Sequence, residues 1–94
     1  MEFEWDPRKA EANFKKHGVS FTEAVEAFYD PFAVDDIDDA HSSDEEQRFT
    51  LIGRSDVRLL IVAHTIKGSD KIRIISARKA SRTESRIYEE AKKF

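Results

Sequence analysis

Lys71-Ile-Arg-Ile-Ile-Ser-Ala-Arg78, continuing as Lys79-Ala-Ser-Arg-Thr-Glu-Ser-Arg-Ile-Tyr-Glu-Glu90, is the stretch from which the rest of the chain is placed. Its first half alternates apolar and polar residues, as a half-buried strand does. In its second half Ser81 and Glu84 stand at the spacing of a capping box, which starts a helix with Ile87, Tyr88, Ala91 and Phe94 as its apolar stripe. Four arginines, Arg73, Arg78, Arg82 and Arg86, fall across this junction. Guanidinium groups grip phosphate oxygens in a bidentate fork and stay charged at any physiological pH, so the junction suits a phosphate; an ordinary solvated surface carries the same residue types.

Working upstream, Val57–Ile66 is apolar on both faces, as a central strand is, and Gln47–Ile52 alternates. Gly53-Arg54-Ser55-Asp56 and Lys67-Gly68-Ser69-Asp70 are turns, so three consecutive strands form an antiparallel meander. If Ile66 and Lys71 close the second turn, His64 lies opposite Arg73 and Val62 opposite Ile75. Leu59, Ile61, Ala63, Ile72 and Ile74 then share the core face. The face of Arg48 stays open, because moving the first turn by one residue inverts it.

Toward the N-terminus, Phe3-Glu4-Trp5 reads as a short edge strand. Asp6 is an N-cap with Pro7 at the first helical position, Ala10, Phe14 and His17 share one side of the helix, and Gly18 stops it. Ser20 and Glu23 start a second helix as another capping box, with Val19 packing back on Ala24 and with Phe21, Ala24, Val25 and Phe28 as its stripe; Asp30-Pro31 ends it. Phe32–Ile37 is a possible strand. The expected fold is α+β, in the order β-α-α-β-β-β-α, an antiparallel sheet packed by helices mainly on one face. Residues 1–94 make one small domain.

No apolar run reaches membrane-spanning length and the N-terminus lacks a signal-peptide pattern, so a soluble cytoplasmic protein with no membrane partner is expected. With no cysteine, thiolate catalysis and zinc–thiolate sites are excluded. The net charge of −3 hides an asymmetry. Residues 1–46 carry four basic against fourteen acidic side chains, whereas residues 47–94 carry twelve basic against five acidic. The second half therefore suits a polyanion or an acidic partner. From Asp30 to Glu46 there are eight acidic residues and no basic one, the composition of a solvated loop or docking surface that should lie away from the basic face or act as a gate. Asp35, Asp36, Asp38, Asp39 and His41 lack the ligand spacing and fixed glycine of a calcium loop, so no metal site and no cofactor are expected.

His64 beside Arg73 pairs a proton exchanger with a phosphate holder. Such a pair suits phosphodiester transfer with RNA's own 2′-hydroxyl as nucleophile and no metal, although a histidine that simply bonds the backbone fits the pattern as well. Glu84 has a sufficient task as a cap, and a carboxylate near Arg78 and Arg82 also suits a general base. Arg82 and Arg86 repel one another across one helical turn unless an anion lies between them.

Phe3-Glu-Trp-Asp-Pro7 with Lys9-Ala10 and Asn13, Lys16-His-Gly-Val-Ser-Phe21 with Glu23-Ala24, Phe28-Tyr-Asp-Pro31, Glu46-Gln-Arg48, Gly53, His64-Thr65, and Ile72-Arg-Ile-Ile-Ser-Ala-Arg78 with Ala80, Glu84 and Tyr88-Glu89 resemble the BrnT family of bacterial toxins. The likeness runs from about Phe3 to Glu89. It implies a RelE-like fold and a ribonuclease toxin of a type II toxin–antitoxin system, whose partners are an RNA substrate and a DNA-binding antitoxin of the ribbon-helix-helix, BrnA-like type, with DNA reached only through that antitoxin.

By this resemblance His64, Arg73, Arg78, Glu84 and Tyr88 are the catalytic candidates; Arg48, Lys79, Arg82 and Arg86, basic residues of the second half, are the RNA-binding ones. Arg73 and Arg78 would bind the scissile phosphate, with Glu84 and His64 sharing the proton transfers. One departure stands out: similar sequences often place a basic residue after the glutamate at position 84, where this chain has Ser85 and then Arg86, a rotation of roughly 100° on a helix. The rival readings are a non-catalytic binding module for antitoxin or RNA, and a metal-dependent hydrolase built on Asp35, Asp36, Asp38 and Asp39.

Overall fold

Asp6 and Gly18 bracket the first helix as their chemistry dictates. The computed structural model describes residues 1–93; Phe94, the last member of the expected stripe, lies outside them. In chain order the elements are β1 (Glu2–Glu4), α1 (Pro7–His17), α2 (Phe21–Ala27), β2 (Val34–Ile37), a 3-10 turn at Asp39–His41, β3 (Arg48–Arg54), β4 (Leu59–Lys67), β5 (Lys71–Lys79) and α3 (Arg82–Ala91). The expected order holds, and the possible strand at Val34–Ile37 joins the sheet. No described helix is long and apolar enough to cross a membrane.

The strands lie in the order β1-β5-β4-β3-β2. β2 to β5 form the antiparallel meander, but β1 pairs in parallel with β5, so the sheet is mixed rather than purely antiparallel. Beyond Arg73 the outer edge of β5 has no strand beside it, and Asn13 of α1 takes over. Its Nδ2 donates to the carbonyls of Ala77 and Val19, at 2.8 and 2.9 Å, and its Oδ1 accepts from Ala77 N at 3.1 Å. Asn13 is therefore the buried residue of α1, while Phe14, expected on the packed side, is 56% exposed. Amide groups satisfy an open strand edge and a phenyl ring does not.

Val19, Phe21, Ala24 and Ala27 pack on Leu51, Leu60, Val62, Ile74 and Ala77 to form the core on the α1/α2 side of the sheet. A Cβ on Gly53 would meet the Ala27 carbonyl oxygen at 2.5 Å, which shows how closely α2 lies on β3. In the second expected capping box only one bond forms: Ser20 Oγ accepts from Glu23 N, but the Glu23 carboxylate is taken by Arg58, whose Nε and Nη2 donate to it at 2.9 and 2.7 Å.

The other face is open except where α3 returns against β3. Ile52, which alternation sets on this face, is 7% exposed. Tyr88 is 1% exposed and reaches Asp30 at the end of α2.

The β4–β5 register corrects the sequence expectation. Gly68, at φ 65°, lets the turn close Lys67 on Lys71 instead of Ile66 on Lys71. His64 is then opposite Ile74, not Arg73, and Thr65 is opposite Arg73. A β-bulge follows, with Ala63 opposite Ser76 and Ile75 as the extra residue. On β4, Leu60, Val62 and His64 face the helices, and the expected core residues Leu59, Ile61 and Ala63 lie on the open face.

Candidate functional site

The open face carries a cleft of about 270 Å³ lined by Asp38, His41, Arg48, Thr50, Ile61, Ala63, Ile75, Ser76 and Arg78. Seven of the nine come from strands: Arg48 and Thr50 from β3, Ile61 and Ala63 from β4, and Ile75, Ser76 and Arg78 from β5 at and past the bulge; Asp38 and His41 come from the segment after β2. Before the bulge the even-numbered Ile72 and Ile74 point into the core; after it Ala77 does. That single extra residue brings Arg78 onto the same face as Arg73.

Arg78 is held in place by Glu84. Its Nη1 and Nη2 each donate to the carboxylate at 2.8 Å, while Glu84 also accepts from Ser81 N at 2.8 Å and Ser81 Oγ accepts from Glu84 N at 3.1 Å. The capping box at the start of α3 and the cleft arginine are thus one unit. The Arg78 hydrogen bonds hold the Glu84 carboxyl below the usual carboxylate range, against the opposing effect of its partial burial. An ionised carboxylate locked to a guanidinium is a weak base and a firm anchor.

Arg48 is only loosely engaged, with Nε 3.6 Å from Glu46. Arg73 also lies on the open face but outside the cleft lining, and its Nη1 donates to Glu4 at 2.9 Å. Thr65, between Arg48 and Arg73 across the strands, is 1% exposed and its hydroxyl has no partner among the described residues.

Two expected catalytic residues lie elsewhere. His64 is 1% exposed on the helix side of the sheet, stacked on Phe49 and edge-on to Phe28. Its Nδ1 is 3.1 Å from the Val62 carbonyl and its Nε2 3.9 Å from Asp35. Tyr88 donates to Asp30 at 2.6 Å, and burial, with Asp30 second, pushes its hydroxyl up to about 12. Arg82 and Arg86 are exposed on α3, and Lys79 is exposed at the end of β5, one alternation away from Arg78.

In the sequence no spacing distinguishes Thr50 and Ser76, and Asp38 and His41 stand out only as carriers of metal-ligating groups. The acidic segment, expected either to lie away from the basic face or to act as a gate, does not lie away: it sends the Asp38 and His41 side chains into the cleft beside Arg48 and Arg78. Nδ1 of His41 lies 3.0 Å from Asp38 Oδ2. Among the described residues no group of three or more histidine, aspartate or glutamate side chains is placed to hold a metal ion.

The family model described as ribonuclease toxin, BrnT, of type II toxin–antitoxin system matches residues 5–84. Among solved structures, the ribonuclease toxin BrnT of Brucella abortus is similar, at 26% identity and a TM-score of 0.64, over 87% of this chain and 99% of that one. No curated protein matches the chain.

Proposed function

The chain belongs to the BrnT family of ribonuclease toxins of type II toxin–antitoxin systems, and on that premise we propose that its open-face cleft binds and cleaves RNA without a metal. A toxin of such a system has an antitoxin as partner. In this reading that partner is a DNA-binding ribbon-helix-helix protein, and the toxin acts on RNA in the cytoplasm. The observation that carries the reading is the convergence of Arg48 and Arg78 on one concave site, with Arg78 oriented by Glu84.

Two guanidinium groups stay charged throughout, hold the scissile phosphate, and stabilise the negative charge that grows on its oxygens as phosphorus becomes five-coordinate. Glu84 acts here as a positioning residue, not as a base. Arg82 and Arg86 take neighbouring phosphates along α3. His64 and Tyr88 support the fold, and Lys79 is set aside because strand alternation aims it to the other side of the sheet from Arg78.

An Arg48→Ala, Arg78→Ala variant with unchanged thermal unfolding is expected to lose RNA cleavage and growth arrest, while the parent arrests growth and is relieved by its antitoxin. Cleavage by the parent in EDTA checks the metal-free chemistry. Full toxicity of the folded double variant would end this reading. Tight antitoxin binding by a parent that cuts no RNA would favour the non-catalytic binding module.

A further inference from the structure

Beyond binding the phosphate, cleavage needs a group that removes the 2′-hydroxyl proton. We propose that His41, oriented by Asp38, is that group in the open-face cleft. The inference rests on the RNA-cleaving reading above and names a catalytic residue within it.

The chain has three histidines. His17 ends α1, and His64 is enclosed between aromatic rings on the opposite face. His41 alone lines the cleft with Arg48 and Arg78, and its side chain is 69% exposed, open to a bound substrate. Of the other cleft side chains, Thr50 and Ser76 exchange no proton near neutral pH, and the charged ones are Asp38, Arg48 and Arg78. Nearby, Glu84 is spent on Arg78 and Tyr88 on Asp30.

The turn that carries His41 is tied to the strand that carries Arg48. Asp38 N donates to the Arg48 carbonyl at 2.8 Å, Arg48 N donates to Ser42 Oγ at 2.9 Å, and Ser42 Oγ donates to the Asp38 carbonyl at 2.7 Å. Base and phosphate holder therefore share one backbone frame. The Asp38 side chain is only 21% exposed, and its Oδ2 accepts from His41 Nδ1 at 3.0 Å. That bond fixes the tautomer in which Nε2 is the free acceptor, and it stabilises the imidazolium that forms.

The step balances without an added reagent. Nε2 takes the 2′-hydroxyl proton as O2′ bonds to phosphorus, and the P–O5′ bond breaks with its electron pair on O5′. O5′ takes a proton from solvent water, and the imidazolium later returns its own to solvent. The products are a 2′,3′-cyclic phosphate end and a 5′-hydroxyl end.

The test uses the purified chain on a short RNA, with a copy bearing 2′-deoxy residues as uncleavable ligand. His41→Ala is expected to lose about 10²-fold or more in cleavage rate, to bind the 2′-deoxy ligand as the parent does, and to recover part of its rate with added imidazole. The Arg48→Ala, Arg78→Ala variant gains nothing from imidazole. Asp38→Asn lowers kcat with KM little changed, as a positioning residue should, and His17→Asn cleaves like the parent. A folded His41→Ala variant that cuts at the parental rate, or that fails only because it no longer binds RNA, overturns the inference and leaves the RNA-cleaving reading intact. A parent that cuts no RNA overturns that reading, and the inference with it.

Discussion

Desolvation between Phe28 and Phe49 penalises the charged form of His64 and lowers its pKa from the ordinary 6.5, the opposing pulls of the Val62 carbonyl and Asp35 being smaller. The native state therefore binds this proton less readily than the unfolded chain does. The stability contributed by a neutral His64 is complete above about pH 6.5 and drains away as pH falls toward the lowered native value. Urea midpoints measured from pH 8 to 5 are expected to drop below about 6.5, with that part of the drop missing in His64→Phe; identical profiles for the two proteins would refute the buried, neutral imidazole. Tyr88 shows the same logic from the other side. At about 12 it keeps its proton at every physiological pH, and it serves as a donor that ties α3 to Asp30.

At the scale of the elements, the close approach of α2 to β3 and the bulge in β5 decide what faces what. Gly53 lies under the Ala27 carbonyl, where an added Cβ would sit at 2.5 Å from a backbone oxygen. Because neither element can yield without disturbing the core, Gly53→Ala is expected to cost about 1–3 kcal/mol, measured as a lowered urea midpoint with an unchanged slope. A neutral or stabilising result would mean that α2 rides higher than this contact allows. The β5 bulge has a different consequence: a continuous strand would have sent Arg73 and Arg78 to opposite faces, since their numbers differ in parity. Asn13 holds the strand just past that bulge by bonding both the N–H and the carbonyl of Ala77.

Across the whole molecule the charge asymmetry of the chain is partly offset in space. Carboxylates of the acidic half pair with cations of the basic half, Glu4 with Arg73, Glu23 with Arg58 and Glu46 with Lys67. Arg82 and Arg86 have no carboxylate partner among the described residues. With one phosphate held in the cleft and one by each of these arginines, the affinity of 2′-deoxy-substituted RNA is expected to fall with salt at a log–log slope of about −2. A slope near zero would show that the arginines bind no phosphate, and a much steeper one that the strand tracks far more of the surface. Much of the fold was legible because its signals are local. Asp6-Pro7, Gly18 and the Ser81–Glu84 box act through neighbours a few residues away, and the long apolar strand at 59–67 is central in any arrangement. The family likeness likewise sits in short runs of chain. The site was less legible, because a strand alternates with period two and one residue decides which face a side chain takes. The sequence by itself determined the elements, their caps and the supply of arginines. Only the tertiary structure decided the faces: the glycine turn at Gly68 and the extra residue at Ile75 set His64 opposite Ile74 and bring Arg78 to the face of Arg48, and the backbone ties of Asp38 and Ser42 to Arg48 bring a histidine from the acidic loop beside them.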